Sequence, residues 1–219
     1  MKTGLYRNYL FDLDGTLIDT APDLDRALNY SLADAGLSGV DESLTRQFVG
    51  NGARVMIEQA LGHHGHEPVQ TLVDDIQTVF LDYYAQHCAD ASKPYPEVID
   101  VLSVLKDKGA NLGVVTNKKR SFSLTILEGL DMMHFFQCVV GGDTAAQPKP
   151  DPSPIFLCLE EMGQTAQDTL FVGDSVTDVN AALNARLPVV CVRDGYHQGV
   201  DLSAAGATAM IDTFAELLH

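Results

Sequence analysis

The sequence predicts an α/β fold, a doubly wound and mainly parallel sheet with a small all-helical domain inserted after its first strand. Three observations carry this prediction. The apolar run at residues 9–11 is typical of a buried strand. From residue 112 to 192, short apolar runs alternate with helical patterns, as in parallel sheets with helices on both faces. Between residues 20 and 93, the spacing of apolar residues is helical and no convincing strand is found.

The helical insertion is predicted from three amphipathic patterns. The first occupies residues 24–35 and stops before Gly36, and the others lie at about residues 43–61 and 72–83. Pro94 and Pro96 then interrupt the chain. We therefore place a helical domain, which we call the cap, at residues 19–93 and the core domain at residues 1–18 and 94–219.

The core elements follow from the alternating patterns. The predicted strands are residues 112–116, 138–140, 169–172, 189–192 and 209–211. The predicted helices are residues 98–108, 121–130, 153–162, 177–185 and 214–218. Such a sheet is Rossmann-like, with the first strand separated from the others by the cap.

Composition restricts the class of partner. At 219 residues and 46% hydrophobic content, the chain is long enough for one core or for a core and an insert. The formal net charge of −16 argues against nucleic acid, whose binding needs clustered lysine and arginine. A phosphate site in this chain must therefore create its own positive field from a metal and a few basic groups.

The sequence also predicts a cytoplasmic protein that does not bind a membrane. No apolar run approaches the roughly 20 residues of a membrane span, and the N-terminus does not resemble a signal peptide. Four scattered cysteines without CxxC spacing are expected to be reduced and buried. They are Cys88, Cys138, Cys158 and Cys191.

Polar side chains follow several predicted strands at the point where each strand ends. They are Asp12 and Asp14, Thr116 and Asn117, and Asp174. A parallel sheet brings these ends to one edge, where acidic oxygens suit a hard cation and a hydroxyl suits a phosphoryl oxygen. Lys149 could add a charge clamp, and the set resembles a phosphoryl-transfer site. Taken alone, residues 12–15 could equally be a strand ending in a solvated Asp-Gly turn.

Four segments resemble the ordered motifs of the haloacid-dehalogenase-like hydrolases. They are Asp-Leu-Asp-Gly-Thr-Leu at residues 12–17, Val-Thr-Asn at 115–117, Lys-Pro-Asp-Pro at 149–152 and Gly-Asp-Ser-Val-Thr-Asp at 173–178. Residues 21–24 and 49–54 are similar to the phosphoglycolate phosphatase branch in particular. The resemblance extends from about residue 9 to residue 196.

This resemblance implies a covalent mechanism. Asp12 would attack phosphorus and form an aspartyl-phosphate, and Asp14 would act as general acid and then as general base. Gly15 would let the backbone approach the phosphate, and its N–H could donate to a phosphoryl oxygen. Thr116 and the Asn117 N–H would bind the phosphate, while Lys149 would offset negative charge. Alone, Thr116 could reflect strand propensity, and Lys149 could be an exposed loop lysine.

The resemblance also implies a Mg²⁺ site. An Asp12 oxygen, the backbone carbonyl of Asp14 and the Asp174 carboxylate would hold the ion. Asp178 lies one helical turn after Asp174, so it would support the ion through a bound water. The alternative for Asp178 is an acid that complements the dipole at a helix start.

Substrate choice is expected to come from the cap. Arg54 could bind the carboxylate of a substrate such as 2-phosphoglycolate, although a surface arginine is the commoner case. Asn51 and Gly52 could supply amides at the start of the same helix. Residues 118–120 form a short basic cluster near the phosphate edge, in which Lys119 and Arg120 are better explained as a solvated helix start.

Two other features are interpreted as non-catalytic. His63, His64 and His66 lie in a glycine-containing loop without a metal-binding frame, and solvated side chains explain them better. Arg186 stands where relatives usually carry glycine; a left-handed backbone there would cost about 1 kcal/mol. The role of the loop at residues 195–198 is left open.

The predicted function is therefore a Mg²⁺-dependent phosphatase, acting as a monomer or homodimer on a small phosphorylated metabolite, with 2-phosphoglycolate favoured. Capped phosphosugar or nucleotide phosphatases and phosphosugar mutases remain alternatives, because their core motifs are the same. A phosphate-sensing protein without turnover is a further alternative, against which the presence of both Asp12 and Asp14 argues.

Overall fold

A computed structural model of the protein describes residues 5–219. Its strands are β1 (Asn8–Phe11), β2 (Ile18–Asp19), β3 (Lys93–Pro94), β4 (Asn111–Val115), β5 (Cys138–Val140), β6 (Thr169–Gly173), β7 (Val189–Val192) and β8 (Ala209–Ile211). Six of them form one sheet in the order β5-β4-β1-β6-β7-β8, and every neighbouring pair in it is parallel. The predicted α/β class with a parallel sheet is confirmed.

Helices surround the sheet and fill the stretch between β2 and β3. They are α1 (Ala21–Asp34), α2 (Glu42–Phe48), α3 (Ala53–His63), α4 (Gln70–His87), α5 (Val98–Asp107), α6 (Arg120–Gly129), α7 (Ser153–Glu161), α8 (Val176–Asn184) and α9 (Leu202–Ala205). Short 3-10 helices lie at Met133–Phe135 and Phe214–Leu218. The last of these is a 3-10 helix where the sequence predicted an α-helix, and its five residues are too few for a stable α-helix.

The central strand β1 is buried on both faces, which explains its apolar run. Tyr9 and Phe11 belong to one hydrophobic cluster, and Leu10 belongs to a second. Successive side chains of a strand point to opposite faces, so each cluster lies on its own side of the sheet. This double cover places the C-terminal end of β1, with Asp12, at the edge of a fully packed sheet.

Four helices, α1 to α4, form a segment that we call the helical segment (residues 21–87). α1 packs against α4, and Leu28 and Phe80 are among the residues buried between the helices. The chain enters and leaves this segment through β2 and β3, which pair antiparallel with Ile18 opposite Pro94. Strands of two residues are too short to show alternation, so periodicity does not reveal them. The predicted domain boundaries fall inside these two strands and stay a prediction.

One predicted helix is in fact two. The pattern at residues 43–61 divides into α2 and α3, separated by residues 49–52. Gly50 and Gly52 have φ angles of 124° and 87°, which a right-handed helix does not allow. Apolar spacing continues across this break, which is why periodicity alone joined the two helices. The break creates a loop that faces the sheet edge.

Two expectations from composition concern the chain as a whole. The four cysteines are free and buried, as predicted. Within residues 5–219, every helix is too short or too polar to cross a bilayer.

Candidate active site

The sheet topology brings the predicted core residues to one edge. β1 lies between β4 and β6, and all three strands run in the same direction. Asp12, Thr116 and Asp174 directly follow these strands, so their side chains meet at the C-terminal edge. Each is at least nine-tenths buried. The order of the strands in the sheet brings these residues together, although they are far apart in the sequence. The sequence did not show that order directly.

Three carboxylates form the centre of this edge. One oxygen each from Asp12, Asp174 and Asp178 lies within 4.8 Å of the others, and all three residues are buried. Burial raises the pKa of Asp12 to about 7, although the neighbouring Lys149 ammonium opposes the shift. Burial, reinforced by the charges of Asp178 and Asp12, also raises the pKa of Asp174. A dense group of buried acids therefore resists ionisation unless positive charge is supplied.

Lys149 supplies part of that charge. Its ammonium nitrogen lies 2.9 Å from Asp12 Oδ1 and 2.7 Å from Asp178 Oδ1. The same ammonium donates to the backbone carbonyl of Val115 at 2.8 Å. Burial by itself would lower the pKa of Lys149, but the two carboxylates outweigh it and raise the pKa. Lys149 is thus a buried charge clamp, and it is not an exposed loop lysine.

Asp178 caps α8 and also contacts the acid cluster and Lys149. Its Oδ2 accepts hydrogen bonds from the backbone N–H of Asp174 at 3.2 Å and of Ser175 at 3.0 Å. Ser175 and Asp178 also form the capping box of α8. Because both oxygens are engaged with protein donors, Asp178 orients Asp174 and Lys149 from behind. A helix-cap role and a supporting role in the acid cluster coexist in one side chain.

The donor set fits a hard divalent cation. Three carboxylates and one ammonium carry two formal negative charges, which is the charge that Mg²⁺ would neutralise. Oxygen ligands at a sheet edge are also the ligands that Mg²⁺ prefers. Asp174 already accepts a hydrogen bond from Thr16 at 2.7 Å, which holds its carboxylate in place beside Asp12.

Asp14 is not part of the three-acid cluster. Its carboxylate accepts hydrogen bonds from the Lys118 ammonium, 2.9 Å from each oxygen, and from the Thr20 hydroxyl at 2.6 Å. Lys118 is 9% exposed. The sequence placed Lys118 only in a general basic cluster, and its pairing with Asp14 was missed. The signal available was its position directly after Thr116 and Asn117, at the same strand end.

The structure corrects the interpretation of Gly15. Its N–H donates to the Ile18 carbonyl at 3.0 Å, so this amide is not free for a phosphoryl oxygen. Glycine is required for another reason: its φ is 83°, and a Cβ would lie 2.3 Å from an Asp174 oxygen and 2.8 Å from the Tyr196 ring. Gly15 therefore permits close packing against Asp174.

Asn117 has a role beyond its backbone amide. Its carboxamide accepts from the N–H of Lys149 at 2.9 Å and donates to the carbonyl of Lys149 at 3.0 Å. It also donates to the Gly50 carbonyl at 3.1 Å. Thr116 lies beside it, and its hydroxyl accepts from the Lys118 N–H at 3.2 Å. One side chain thus joins the lysine loop to the loop between α2 and α3.

A cavity of about 270 Å³ lies between the sheet edge and the helical segment. Its lining includes Asp12, Asp14, Thr116, Asn51, Gly52 and Arg54. The predicted cap residues therefore share one cavity with Asp12, Asp14 and Thr116, whereas Asp174 and Lys149 do not line it. Asn51 Oδ1 accepts from the Thr177 hydroxyl at 3.1 Å, which adds a second bond between the two walls.

Arg54 is less available than its position suggests. Its guanidinium lies 2.5 Å from Asp74 and 3.2 Å from Glu58, and 40% of the side chain is exposed. His63 and His66 are exposed, and His64 contacts the Gly39 carbonyl at 3.1 Å. The cluster of possible metal-binding residues found in the described part of the chain is the acidic one at the sheet edge.

Comparison with known proteins agrees with this geometry. A phosphoglycolate phosphatase of Yersinia pseudotuberculosis is 37% identical over 218 residues, covering 100% of this chain and 94% of that protein. A phosphoglycolate phosphatase of Mesorhizobium japonicum is 43% identical over 187 residues, covering 85% of this chain and 82% of that one.

Structural comparison gives the same answer. A crystal structure described as a predicted phosphoglycolate phosphatase of Haemophilus somnus superposes with a TM-score of 0.91 at 31% identity, covering 99% of this chain and 98% of that one. The family model for the haloacid dehalogenase-like hydrolases matches residues 9–192, which include the acid cluster and the helical segment. This chain is a member of the haloacid dehalogenase-like hydrolase family.

Proposed function

We propose that this protein is a Mg²⁺-dependent phosphatase that hydrolyses a small phosphomonoester, with 2-phosphoglycolate as the preferred substrate. The observation that carries the proposal is the buried cluster of Asp12, Asp174 and Asp178 with Lys149, which has two excess negative charges beside a cavity. The substrate is inferred from relatives named phosphoglycolate phosphatase that align over most of the chain.

Asp12 is the proposed nucleophile. One of its oxygens forms a bond to phosphorus while the bond from phosphorus to the substrate oxygen breaks. Asp14 is an ion-paired carboxylate in the structure, so it must take up a proton before it can give one to the departing alkoxide. As a carboxylate again, it then takes a proton from the water that attacks the aspartyl-phosphate. That attack breaks the bond between Asp12 and phosphorus and releases phosphate. Asp14 suits this role because its carboxylate lies in the cavity but outside the acid cluster.

Asp12, the backbone carbonyl of Asp14 and Asp174 would hold Mg²⁺, with Asp178 supporting Asp174. When bound, the ion would neutralise the acid cluster and the charge on the transferred phosphoryl group. Thr116 and the Asn117 N–H would bind phosphoryl oxygens, and Lys149 would keep Asp12 ionised. The Gly15 amide has no part in this proposal, because it is bonded to Ile18.

The helical segment would act as the cap that excludes water from the phosphoryl-enzyme. Arg54, Asn51 and Gly52 line its side of the cavity and would contact the remainder of the substrate. Contact with a substrate carboxylate requires Arg54 to leave Asp74 or Glu58. The reduced state of the four thiols is compatible with the proposed cytoplasmic location.

The test is a panel of phosphomonoesters assayed with purified protein and Mg²⁺. We expect the highest kcat/KM for 2-phosphoglycolate; a strong preference for hexose phosphates would reject the substrate assignment. Asp12→Asn should lower kcat by a factor of about 1,000 or more with the fold retained. Asp100→Asn, on the exposed face of α5, is the matched control and should retain full activity. An active Asp12→Asn enzyme would exclude the covalent mechanism.

A further inference from the structure

The loop between β7 and α9 contacts the helical segment, although the sequence left its role open. We call residues 195–198 the clasp loop. Tyr196 is 4% exposed despite its position in a loop. Gln198 donates from its amide to the Val49 carbonyl at 3.1 Å, beside the break between α2 and α3. The clasp loop therefore touches the chain on the helical side of the cavity.

One end of Tyr196 is attached to the acid cluster. Its backbone N–H donates to Asp174 Oδ2 at 2.6 Å. Its ring packs closely against the turn at Gly15, where a Cβ would lie 2.8 Å from ring atom Cδ2. The position of Tyr196 is thus determined by two core residues at the sheet edge.

The other end of Tyr196 is attached to the connection that leads into the helical segment. Its hydroxyl oxygen accepts from the N–H groups of Thr20 and Ala21, both at 3.0 Å. The hydroxyl donates to Asp19 Oδ1 at 2.6 Å. One donor and two acceptor positions are all that a tyrosine hydroxyl offers, and each of them is used. The hydroxyl is therefore fully committed to holding the start of α1.

Asp19 carries the connection to α2. Arg46, on α2, donates to both oxygens of the Asp19 carboxylate at 2.9 and 3.0 Å. The guanidinium carbon of Arg46 also lies 5.5 Å from the centre of the Tyr196 ring. α2 leads directly into residues 49–52, whose Asn51 and Gly52 line the cavity. A continuous chain of contacts thus runs from Asp174 through Tyr196 and Asp19 to the cap-side wall.

We propose that Tyr196 is a positioning residue that, through Asp19 and Arg46, holds α2 and residues 49–52 closed over the acid cluster. Tyr196 does not touch the reacting atoms. Its side chain makes the closed arrangement of the helical segment depend on the same core edge that carries Asp174. The kinetic test below rests on the proposed phosphatase function, whereas the thiol test does not.

The thiol test uses the protein's own cysteines. Cys88 follows α4 and is 2% exposed. Burial raises the pKa of its thiol, and the charge of the Lys118 ammonium, which lines the cavity, opposes that shift. Cys158 and Cys191 are fully buried within the core. We expect opening of the helical segment to expose Cys88 and to leave Cys158 and Cys191 protected.

In the native protein without substrate, alkylation of each cysteine would be followed by mass spectrometry. Tyr196→Phe should accelerate alkylation of Cys88 about fivefold, as expected for the loss of one hydrogen-bonding group. Cys158 and Cys191 should react at the native rate. An unchanged Cys88 rate, or equal acceleration at Cys88, Cys158 and Cys191, would overturn the proposal, because the second result means general destabilisation.

The kinetic test is a double-mutant cycle of Tyr196→Phe and Arg46→Met. Each variant should raise KM about fivefold and change kcat less than twofold, because bound substrate restores closure. The double variant should show no larger KM than the more affected single variant, since both break one connection. If the increases in KM of the two single variants multiplied in the double variant, the proposal would be overturned. A native protein inactive on every phosphomonoester would reject the proposed function and leave the thiol result to decide.

The matched control is Arg193→Met. Arg193 also pairs with an aspartate, Asp212, at 2.8 Å, but this pair lies on the core surface. This variant should keep the native KM and the native alkylation rate of Cys88. A rise in either value equal to that of Arg46→Met would show that loss of any arginine pair has the same effect, and it would overturn the proposal.

Discussion

The two walls of the cavity differ in how firmly their charged groups are held. On the core wall, Asp12 is buried and bound at 2.9 Å to Lys149, which is buried behind it. On the helical wall, Arg54 is 40% exposed and pairs with Asp74 and Glu58, which are exposed as well. Buried pairs in fixed geometry are strong and costly to break, whereas exposed pairs contribute little and exchange readily. The charged groups of the core wall are therefore held in a fixed geometry, whereas those of the helical wall can exchange partners.

The largest effect on stability and kcat is expected for Lys149→Met. Loss of one partner of a buried ion pair leaves Asp12 and Asp178 uncompensated and should cost about 3–5 kcal/mol in the free energy of unfolding. We also expect kcat to fall by a factor of about 100 or more, because Asp12 loses its charge clamp. Thermal denaturation and steady-state kinetics measure the two effects.

Lys119→Met is the control for that variant, because Lys119 is exposed near the same edge. It should change stability and kcat little. If Lys149→Met changed stability and kcat as little as Lys119→Met, the buried lysine would contribute no more than an exposed one.

The second prediction concerns pH and metal. Asp12 and Asp174 have raised pKa values, so in metal-free protein the folded state binds more protons than the unfolded state between about pH 4 and pH 7. The free energy of unfolding must then fall as pH rises through this range. We expect the Tm of metal-free protein to drop by about 5 °C or more between pH 5 and pH 8.

Mg²⁺ should reverse this trend, since a cation favours the ionised carboxylates. The rise in Tm on adding Mg²⁺ should be larger at pH 8 than at pH 5. Asp12→Asn should flatten the metal-free pH profile, because one of the two titrating groups is removed. A metal-free profile equal to that in Mg²⁺ would argue against a cation site in the acid cluster.

Arg54→Ala tests how much the exposed arginine of the helical wall contributes to KM. An exposed arginine that must leave its present partners should contribute modestly, so we expect KM for 2-phosphoglycolate to rise about two- to fivefold. KM for an uncharged phosphomonoester should be unchanged. Equal losses on both substrates would remove the proposed contact with a carboxylate. Arg26→Ala, at an exposed arginine on α1, is the matched control.

The smallest effect is expected far from both walls, at Arg186. Its φ of 60° confirms the left-handed backbone considered from the sequence. Arg186→Gly should therefore stabilise the protein by about 0.5–1 kcal/mol, seen as a small rise in Tm. Arg186→Ala is the control, since alanine has the same steric conflict as arginine there. A similar gain from both variants would locate the effect in the arginine side chain.

Prediction from sequence succeeded where a signal is local. β5, β7 and β8 begin and end at the predicted residues, because apolar runs between polar ends define buried strands. The order of the four motifs identified Asp12, Thr116, Lys149 and Asp174 as residues of one site. Prediction was wrong at residues 49–52, where apolar spacing continued across a break that two glycines impose.

Other features of the site depend on contacts between distant residues. Lys118 pairs with Asp14, and Tyr196 joins Asp174 to Thr20, across 104 and 176 positions of the chain. Periodicity and motif spacing describe neighbours along the chain. They place Lys118 at the same strand end as Thr116, but they do not show which side chain it pairs with. The same limit applies to Gly15: its sequence position predicts phosphate contact, whereas in the structure a Cβ there would meet Asp174 and Tyr196.

The amino-acid sequence was sufficient to predict the fold class, the residues of the acidic edge and the family. The partners of those residues depend on the tertiary structure, because a buried charge can pair only with groups that the folded chain places within hydrogen-bonding distance. Asp14 faces Lys118 and Asp178 faces Lys149 for this reason. Water would satisfy each of these groups in the unfolded chain; only burial makes the choice of partner matter.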